Sequence, residues 1–102
     1  MLPLIEQHKQ QIAELCQKYA VRRLDLFGSA ARGDFNAAGS DIDFFVEFLD
    51  YTSPAIADQW FGLQEELHRL LGAPVELVSA RVDHNPYFLQ VAQRHRVTLY
   101  AA

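Results

Sequence analysis

Two periodicities of hydrophobic residues alternate along the chain and predict interleaved helices and strands. Apolar residues that recur every three or four positions predict helices over residues 3–19, 54–71 and 86–95. Short apolar runs rich in valine, leucine and phenylalanine predict strands over residues 22–28, 41–48, 74–78 and 97–100. We therefore expect an α/β fold, a single domain over residues 1–102 with a small mixed β-sheet flanked by helices that lie mainly on one face.

Proline, glycine and short polar residues mark where the predicted helices begin and end. Pro3 suits the first turn of a helix that continues to about Tyr19. Ser53 and Pro54 form the pattern of an N-cap followed by proline at the first helical position, and Gly72 is typical of a C-terminal cap. These signals predict one unbroken N-terminal helix and a second helix that begins directly after Ser53.

Two aspartates stand at the start of the second predicted strand, and a Gly-Ser turn ends the first strand. Side chains alternate between the two faces of a strand, so Asp41 and Asp43 project from the same face. Their hard oxygen ligands suit Mg²⁺, or Mn²⁺, rather than zinc. Gly28 and Ser29 precede a short helical turn, where exposed backbone N–H groups favour a phosphate. Together these features are what phosphoryl or nucleotidyl transfer requires.

The composition limits which partners the chain can bind. Its 102 residues carry a formal net charge of −4, which argues against duplex nucleic acid because such binding relies on lysine and arginine. Cys16 is the only cysteine, so no internal disulfide can form, and it falls on the apolar side of the first helix. We identify neither a secretory signal nor an apolar run of about 20 residues, and we expect a cytoplasmic protein without a membrane segment.

The spacing of the turn and the aspartates carries a family resemblance. Gly28-Ser29, eleven further residues and then Asp41-Ile42-Asp43 resemble the signature of the DNA-polymerase-β-like nucleotidyltransferase superfamily. The fuller pattern adds Arg32 after the turn and Ser40 before the aspartates. In this form it is similar to the minimal nucleotidyltransferases, antitoxin-like proteins that are often paired with HEPN-domain toxins. The closing Leu99-Tyr100 also resembles this group, so the resemblance extends over nearly the whole chain.

The resemblance implies a role for each residue of the motif. Asp41 and Asp43 would be catalytic carboxylates that hold two Mg²⁺ ions, and ATP would be the nucleotide donor. Glu76 would be the third catalytic carboxylate and a further metal ligand. The residues that contact the nucleotide would be Gly28, Ser29, Arg32 and Ser40.

Glu76 lies among apolar residues of the third predicted strand, and its presence there has two explanations. A lone carboxylate is costly to bury unless another group pairs with it. Edge strands carry such charges to prevent aggregation, which would make Glu76 purely protective. The superfamily carries its third carboxylate on a strand beside the first two, and the resemblance assigns that role to Glu76. Family members more often have aspartate at this position, so Glu76 departs from the pattern.

The resemblance implies a Mg²⁺-dependent protein adenylyltransferase that acts as an antitoxin. It would transfer AMP from ATP to a tyrosine of a HEPN ribonuclease toxin, with which it would form a hetero-oligomer. Larger relatives carry an additional domain for their acceptor, and we find none here, so a partner protein would supply the acceptor. One alternative is a non-catalytic antitoxin that keeps the fold and neutralises its partner by binding only. Another is a small stand-alone transferase that modifies a metabolite.

Overall fold

A four-stranded mixed sheet forms the centre of the molecule, which a computed structural model describes at residues 3–28, 31, 41–79 and 96–102. The elements are, in chain order, α1 (Pro3–Gln7), α2 (Lys9–Lys18), β1 (Val21–Phe27), β2 (Ile42–Phe48), α3 (Ile56–Leu71), β3 (Val75–Ser79) and β4 (Val97–Ala101). The four predicted strands are confirmed, and so is the α/β fold. The helix predicted over residues 86–95 lies outside the described residues.

The order of the strands brings the ends of three of them together. The sheet has the order β3-β2-β1-β4, and β1 is antiparallel to both of its neighbours. β2 and β3 run parallel, with α3 as the connection between them. The C-terminal end of β1 therefore lies beside the N-terminal end of β2, and the N-terminal end of β3 lies next to that. The turn, the two aspartates and Glu76 belong to these three strand ends.

All three described helices contribute to an apolar core on one face of the sheet. Alternate residues of β2 face this core, and every fourth residue of α3 is buried in it. The buried core residues are Ile5, Ile12, Cys16, Val21, Leu24, Leu26, Ile42, Phe44, Val46, Phe48, Leu63, Leu67, Leu71, Ala73, Val75, Leu77 and Leu99. Burying a large apolar side chain contributes about 1.5–3 kcal/mol, so this face supplies most of the hydrophobic stabilisation. Among the described residues, none of the helices combines the length and the apolar character that a membrane span requires.

The single N-terminal helix predicted from Pro3 to about Tyr19 is wrong, because the chain breaks at His8. This residue adopts φ −108° and ψ 14°, and its backbone N–H donates to the carbonyl of Ile5 in a tighter turn at 3.2 Å. The His8 ring also bonds through Nδ1 to the Leu4 carbonyl oxygen at 2.9 Å. The apolar spacing continues across the break, with Ile5 and Ile12 both in the core, so periodicity alone could not detect it.

The predicted start of α3 is also wrong, by two residues. The helix begins at Ile56 with Ala55 as its N-cap, and no side chain caps it. Ser53 instead closes a turn before the helix, where its Oγ accepts from the Ala55 N–H at 3.2 Å and its carbonyl accepts from the Ile56 N–H at 3.1 Å. The end of the helix is confirmed: Gly72 has φ +66°, and its N–H donates to the carbonyl of His68 at 2.9 Å.

Cys16 is fully buried in the core, as its position on the apolar side of the first helix predicted. Burial raises the pKa of its thiol to about 12, because the thiolate is poorly solvated there. The thiol therefore stays protonated at neutral pH and acts as a small apolar side chain.

Candidate functional site

Asp43 and Glu76 lie side by side at one end of the sheet. Each is the second residue of its strand, and the parallel register of β2 and β3 places them directly opposite each other. Neighbouring strands are about 4.8 Å apart, so residues in register on one face are in reach of a shared ligand. The residues on either side of each carboxylate are buried in the core, so both carboxylates point to the other face. Glu76 is exposed and Asp43 is half-buried.

Asp41 lies next to this pair, one residue before β2, and its side chain is exposed. The backbone there is already fixed to the residue before β3, because the N–H of Ile42 donates to the carbonyl oxygen of Pro74 at 2.8 Å. The structure thus brings all three predicted carboxylates to neighbouring positions at one end of the sheet.

Gly28 lies against the carboxylate of Asp43. It follows Phe27, which is opposite Asp43 in the antiparallel register of β1 and β2. Gly28 has φ +74°, and a Cβ atom at this position would lie 2.7 Å from Oδ2 of Asp43. Glycine is therefore required here for both its backbone conformation and its lack of a side chain. The other predicted nucleotide-binding residues, Ser29, Arg32 and Ser40, lie outside the described residues.

The side chains at this end of the sheet fit a hard divalent cation that keeps other ligands. Carboxylate oxygens are the donors that Mg²⁺ prefers, and the lack of a side chain at Gly28 makes room for the Asp43 carboxylate itself. Among the described residues, no three histidine, cysteine, aspartate or glutamate side chains are gathered closely enough to enclose a metal. Mg²⁺ in proteins is usually bound through one or two carboxylates together with water and substrate phosphates. The arrangement matches that kind of open site.

A second charged group lies on the same face of the sheet, and the sequence pattern did not predict it. Asp25 is the one charged side chain that is buried among the described residues. Arg23 donates from Nε to its Oδ1 at 3.0 Å, and Arg96 donates from Nε to its Oδ2. One signal was present in the sequence, because Asp25 stands between the apolar residues Leu24 and Leu26. A buried carboxylate in a strand needs a cation, but the sequence did not indicate which arginine would supply it.

Comparisons with known proteins agree with this geometry. The family model described as polymerase beta, nucleotidyltransferase, matches residues 10–102. MJ1379 of Methanocaldococcus jannaschii, named as a candidate protein adenylyltransferase, is 37% identical over 84 residues, which cover 82% of this chain and 79% of that protein.

Solved structures share the fold over almost the entire chain. One is described as a candidate minimal nucleotidyltransferase; it is 26% identical with a TM-score of 0.74, over 94% of this chain and 95% of that one. Another is the complex of tri-AMPylated Shewanella oneidensis HEPN toxin with MNT antitoxin. It is 20% identical with a TM-score of 0.64, and the match covers 95% of this chain and 72% of that chain. With the family model covering most of its residues, the chain belongs to the polymerase beta nucleotidyltransferase family.

Proposed function

We propose that this protein transfers AMP from ATP to a tyrosine of a HEPN-domain toxin and thereby acts as its antitoxin. The observation that carries the proposal is the register of Asp43 with Glu76, at the end of the sheet where Gly28 contacts the Asp43 carboxylate. A protein that only blocks its partner does not need convergent carboxylates beside a glycine turn.

The proposed reaction has a simple balance of bonds. The tyrosine oxygen attacks the α-phosphorus of ATP, and a new oxygen–phosphorus bond forms. The bond from the α-phosphorus to the oxygen that bridges to the β-phosphate breaks, and pyrophosphate leaves. Glu76, exposed at the open side of the site, accepts the proton of the tyrosine hydroxyl directly or through a water molecule.

Asp41, Asp43 and Glu76 would hold Mg²⁺, as two ions or with Mn²⁺ as a substitute. When bound, the metal would neutralise the phosphate charges and orient the α-phosphate. Gly28 and Ser29 would donate backbone N–H groups to the phosphates, and Ser40 would contact the nucleotide. Arg32 would neutralise the charge that develops on the leaving pyrophosphate. For Ser29, Arg32 and Ser40 this assignment rests on the family pattern in the sequence.

The partner and the donor are supported by the relatives. The MNT antitoxin that shares this fold is bound to an AMPylated HEPN toxin, and the Methanocaldococcus protein is named as a candidate adenylyltransferase. The net charge of −4 is also better suited to a metal-bound nucleotide and a protein acceptor than to duplex nucleic acid. ATP and reduced thiols are both found in the cytoplasm, which we propose as the site of the reaction.

The test is mass spectrometry of a HEPN-domain protein that we expect the neighbouring reading frame to encode. The two proteins are incubated with ATP and Mg²⁺, and the peptides of the HEPN protein are searched for AMP on tyrosine. We expect modification by the parent protein and none by the Asp43→Asn variant, which keeps the shape of the side chain but loses its charge. Tight association of the parent protein without any modification would contradict the proposal and support the binding-only antitoxin.

A further inference from the structure

A buried ion pair lies on the sheet face that carries the carboxylates. Asp25 has no exposed surface, and its two oxygens accept hydrogen bonds from Arg23 and Arg96. The Arg96 side chain is 21% exposed, whereas that of Arg23 is 48% exposed, so Arg96 is the more enclosed partner. Arg23 also donates to Thr98 Oγ1 at 3.1 Å, which ties the same cluster to β4.

Arg96 contacts an aromatic pair that leads to the candidate site. Its guanidinium carbon lies 4.7 Å from the centre of the Phe45 ring. The Phe45 ring stacks on Phe27, with ring centres 4.1 Å apart and an angle of 22° between the planes. Phe27 is opposite Asp43 in the register of β1 and β2, and it directly precedes Gly28. A continuous series of contacts therefore connects Arg96 to the glycine that lies against the Asp43 carboxylate.

Stability alone is a weak explanation for this cluster. Removing two charges from water is expensive, and buried ion pairs can often be replaced by apolar residues of similar volume without loss of stability. The buried residues on the opposite face of the same strands are all apolar, so this sheet can be packed without buried charges. What the ion pair adds is a fixed geometry, because Asp25 holds the guanidinium plane over the Phe45 ring.

We infer that Arg96, oriented by Asp25, is a positioning residue for the carboxylate site. It holds Phe45 against Phe27, and this stack fixes the turn at Gly28 relative to the carboxylate of Asp43. Arg96 acts through these residues and does not itself touch the metal or the reacting atoms. The inference rests on the proposed function in that it assumes a metal-bound nucleotide at Asp43.

The test compares Arg96→Gln with the parent protein and with Arg69→Gln. Arg69 is a matched control, because it pairs with Glu65 on the exposed side of α3, away from the site. Mn²⁺ binding is measured by electron paramagnetic resonance with a non-hydrolysable ATP analogue, well below the melting temperature of each variant. We expect Arg96→Gln to weaken Mn²⁺ binding about tenfold, the effect of losing a group that orients a metal ligand. Arg69→Gln should bind Mn²⁺ as the parent does, and Arg96→Lys should recover part of the loss because it keeps the charge.

Backbone hydrogen exchange provides a second readout that does not depend on activity. We expect the amides of Phe27 and Asp43 to exchange faster in Arg96→Gln than in Arg69→Gln, since loosening the aromatic stack loosens this end of the ladder. Unchanged Mn²⁺ binding and unchanged exchange at these amides would overturn the inference, even if the melting temperature fell. If Arg96→Gln does not fold, Arg96→Lys must show both effects in weaker form. A parent protein that binds Mn²⁺ and nucleotide but modifies no partner would contradict the proposed function and leave the test of Arg96 intact.

Discussion

The two faces of the sheet are built from the same strands but from different kinds of residues. On the face toward the helices, the buried strand residues are aliphatic or phenylalanine and belong to one core. The opposite face carries carboxylates, arginines and a stacked aromatic pair. Phe44 and Phe45 show the contrast at neighbouring positions of β2. Phe44 packs in the apolar core, whereas Phe45 contacts Phe27 and Arg96.

This difference indicates a division of labour within a small domain. Apolar burial on the helical face supplies the favourable free energy of folding. Buried charges on the other face add little to stability even when they are paired, as Asp25 and Arg96 are, so we attribute their presence to the chemistry at the end of the sheet. Substitutions on the first face should then change stability, and those on the second face should change transfer.

Among the glycine, phenylalanine and Glu66 variants, the largest effect on transfer is expected for Gly28→Ala, with Gly72→Ala as its control. Both glycines have positive φ, +74° and +66°, so alanine should cost each about 1 kcal/mol of stability through the backbone. Only at Gly28 would the new Cβ meet Asp43, whereas nothing lies within 4 Å at Gly72. Gly28→Ala should lower the transfer rate on the order of 100-fold, the scale expected for displacing a catalytic group.

Transfer rates and melting temperatures of the two glycine variants, measured together, check this prediction. Equal rates in Gly28→Ala and Gly72→Ala would show that the contact between the glycine and Asp43 has no role in the reaction.

A smaller effect is expected from replacing the two phenylalanines of β2 by leucine. Phe44→Leu and Phe45→Leu both keep an apolar side chain, and each should cost about 1 kcal/mol of stability. Only Phe45→Leu removes the ring that Arg96 and Phe27 contact, so only this variant should lose transfer, by about tenfold. Urea unfolding and initial transfer rates separate the two effects. A loss of transfer in Phe44→Leu as large as that in Phe45→Leu would contradict the separation of the faces.

The sequence predicted the helical face and the strand ends better than the other face. Alternation in β2 and the stripe in α3 identified the core, because burial follows the periods of strand and helix. The motif spacing predicted that Asp41 and Asp43 lie near Gly28, and the structure has all three at one end of the sheet. Such a prediction is possible because the ends of neighbouring strands determine which residues can meet. The Asp25–Arg96 contact joins residues 71 positions apart, and no local pattern encodes it. Similarly, the break at His8 is accompanied by a ring-to-backbone hydrogen bond, which hydrophobic spacing does not predict.

The smallest effect should come from Glu66→Gln on the helical side. Glu66 accepts a hydrogen bond from the Tyr19 hydroxyl and pairs with Lys18 at 3.1 Å. Both contacts hold the pKa of Glu66 below its ordinary value of 4.5, and the hydrogen bond from Tyr19 has the larger effect. A carboxylate with a lowered pKa stabilises the fold above the ordinary pKa, and this contribution is lost as the pH falls through the folded pKa. Because the pair is near the surface, the contribution is only a few tenths of a kcal/mol.

The parent protein should therefore lose slightly more stability than Glu66→Gln when the pH is lowered from about 6 to about 3. Urea unfolding at several pH values measures this difference, and transfer at neutral pH should be the same in both proteins. If stability falls equally with pH in Glu66→Gln and the parent, the Glu66 contacts do not contribute to stability. If Glu66→Gln transfers AMP more slowly than the parent, residues on the helical side also take part in function.

The central claim, that the carboxylates at the end of the sheet carry out the transfer, is tested most directly at Glu76. The measurement is the rate of AMP transfer to the HEPN partner by Glu76→Asp and Glu76→Gln, together with their melting temperatures. If Glu76 is the third catalytic carboxylate, Glu76→Asp keeps substantial transfer and Glu76→Gln nearly abolishes it. The stability of Glu76→Gln should hold or rise, because the carboxylate of Asp43 opposite it repels Glu76 in the absence of metal. If Glu76 only protects the edge of the sheet, both variants remain nearly as active as the parent, and an active Glu76→Gln protein would contradict the account.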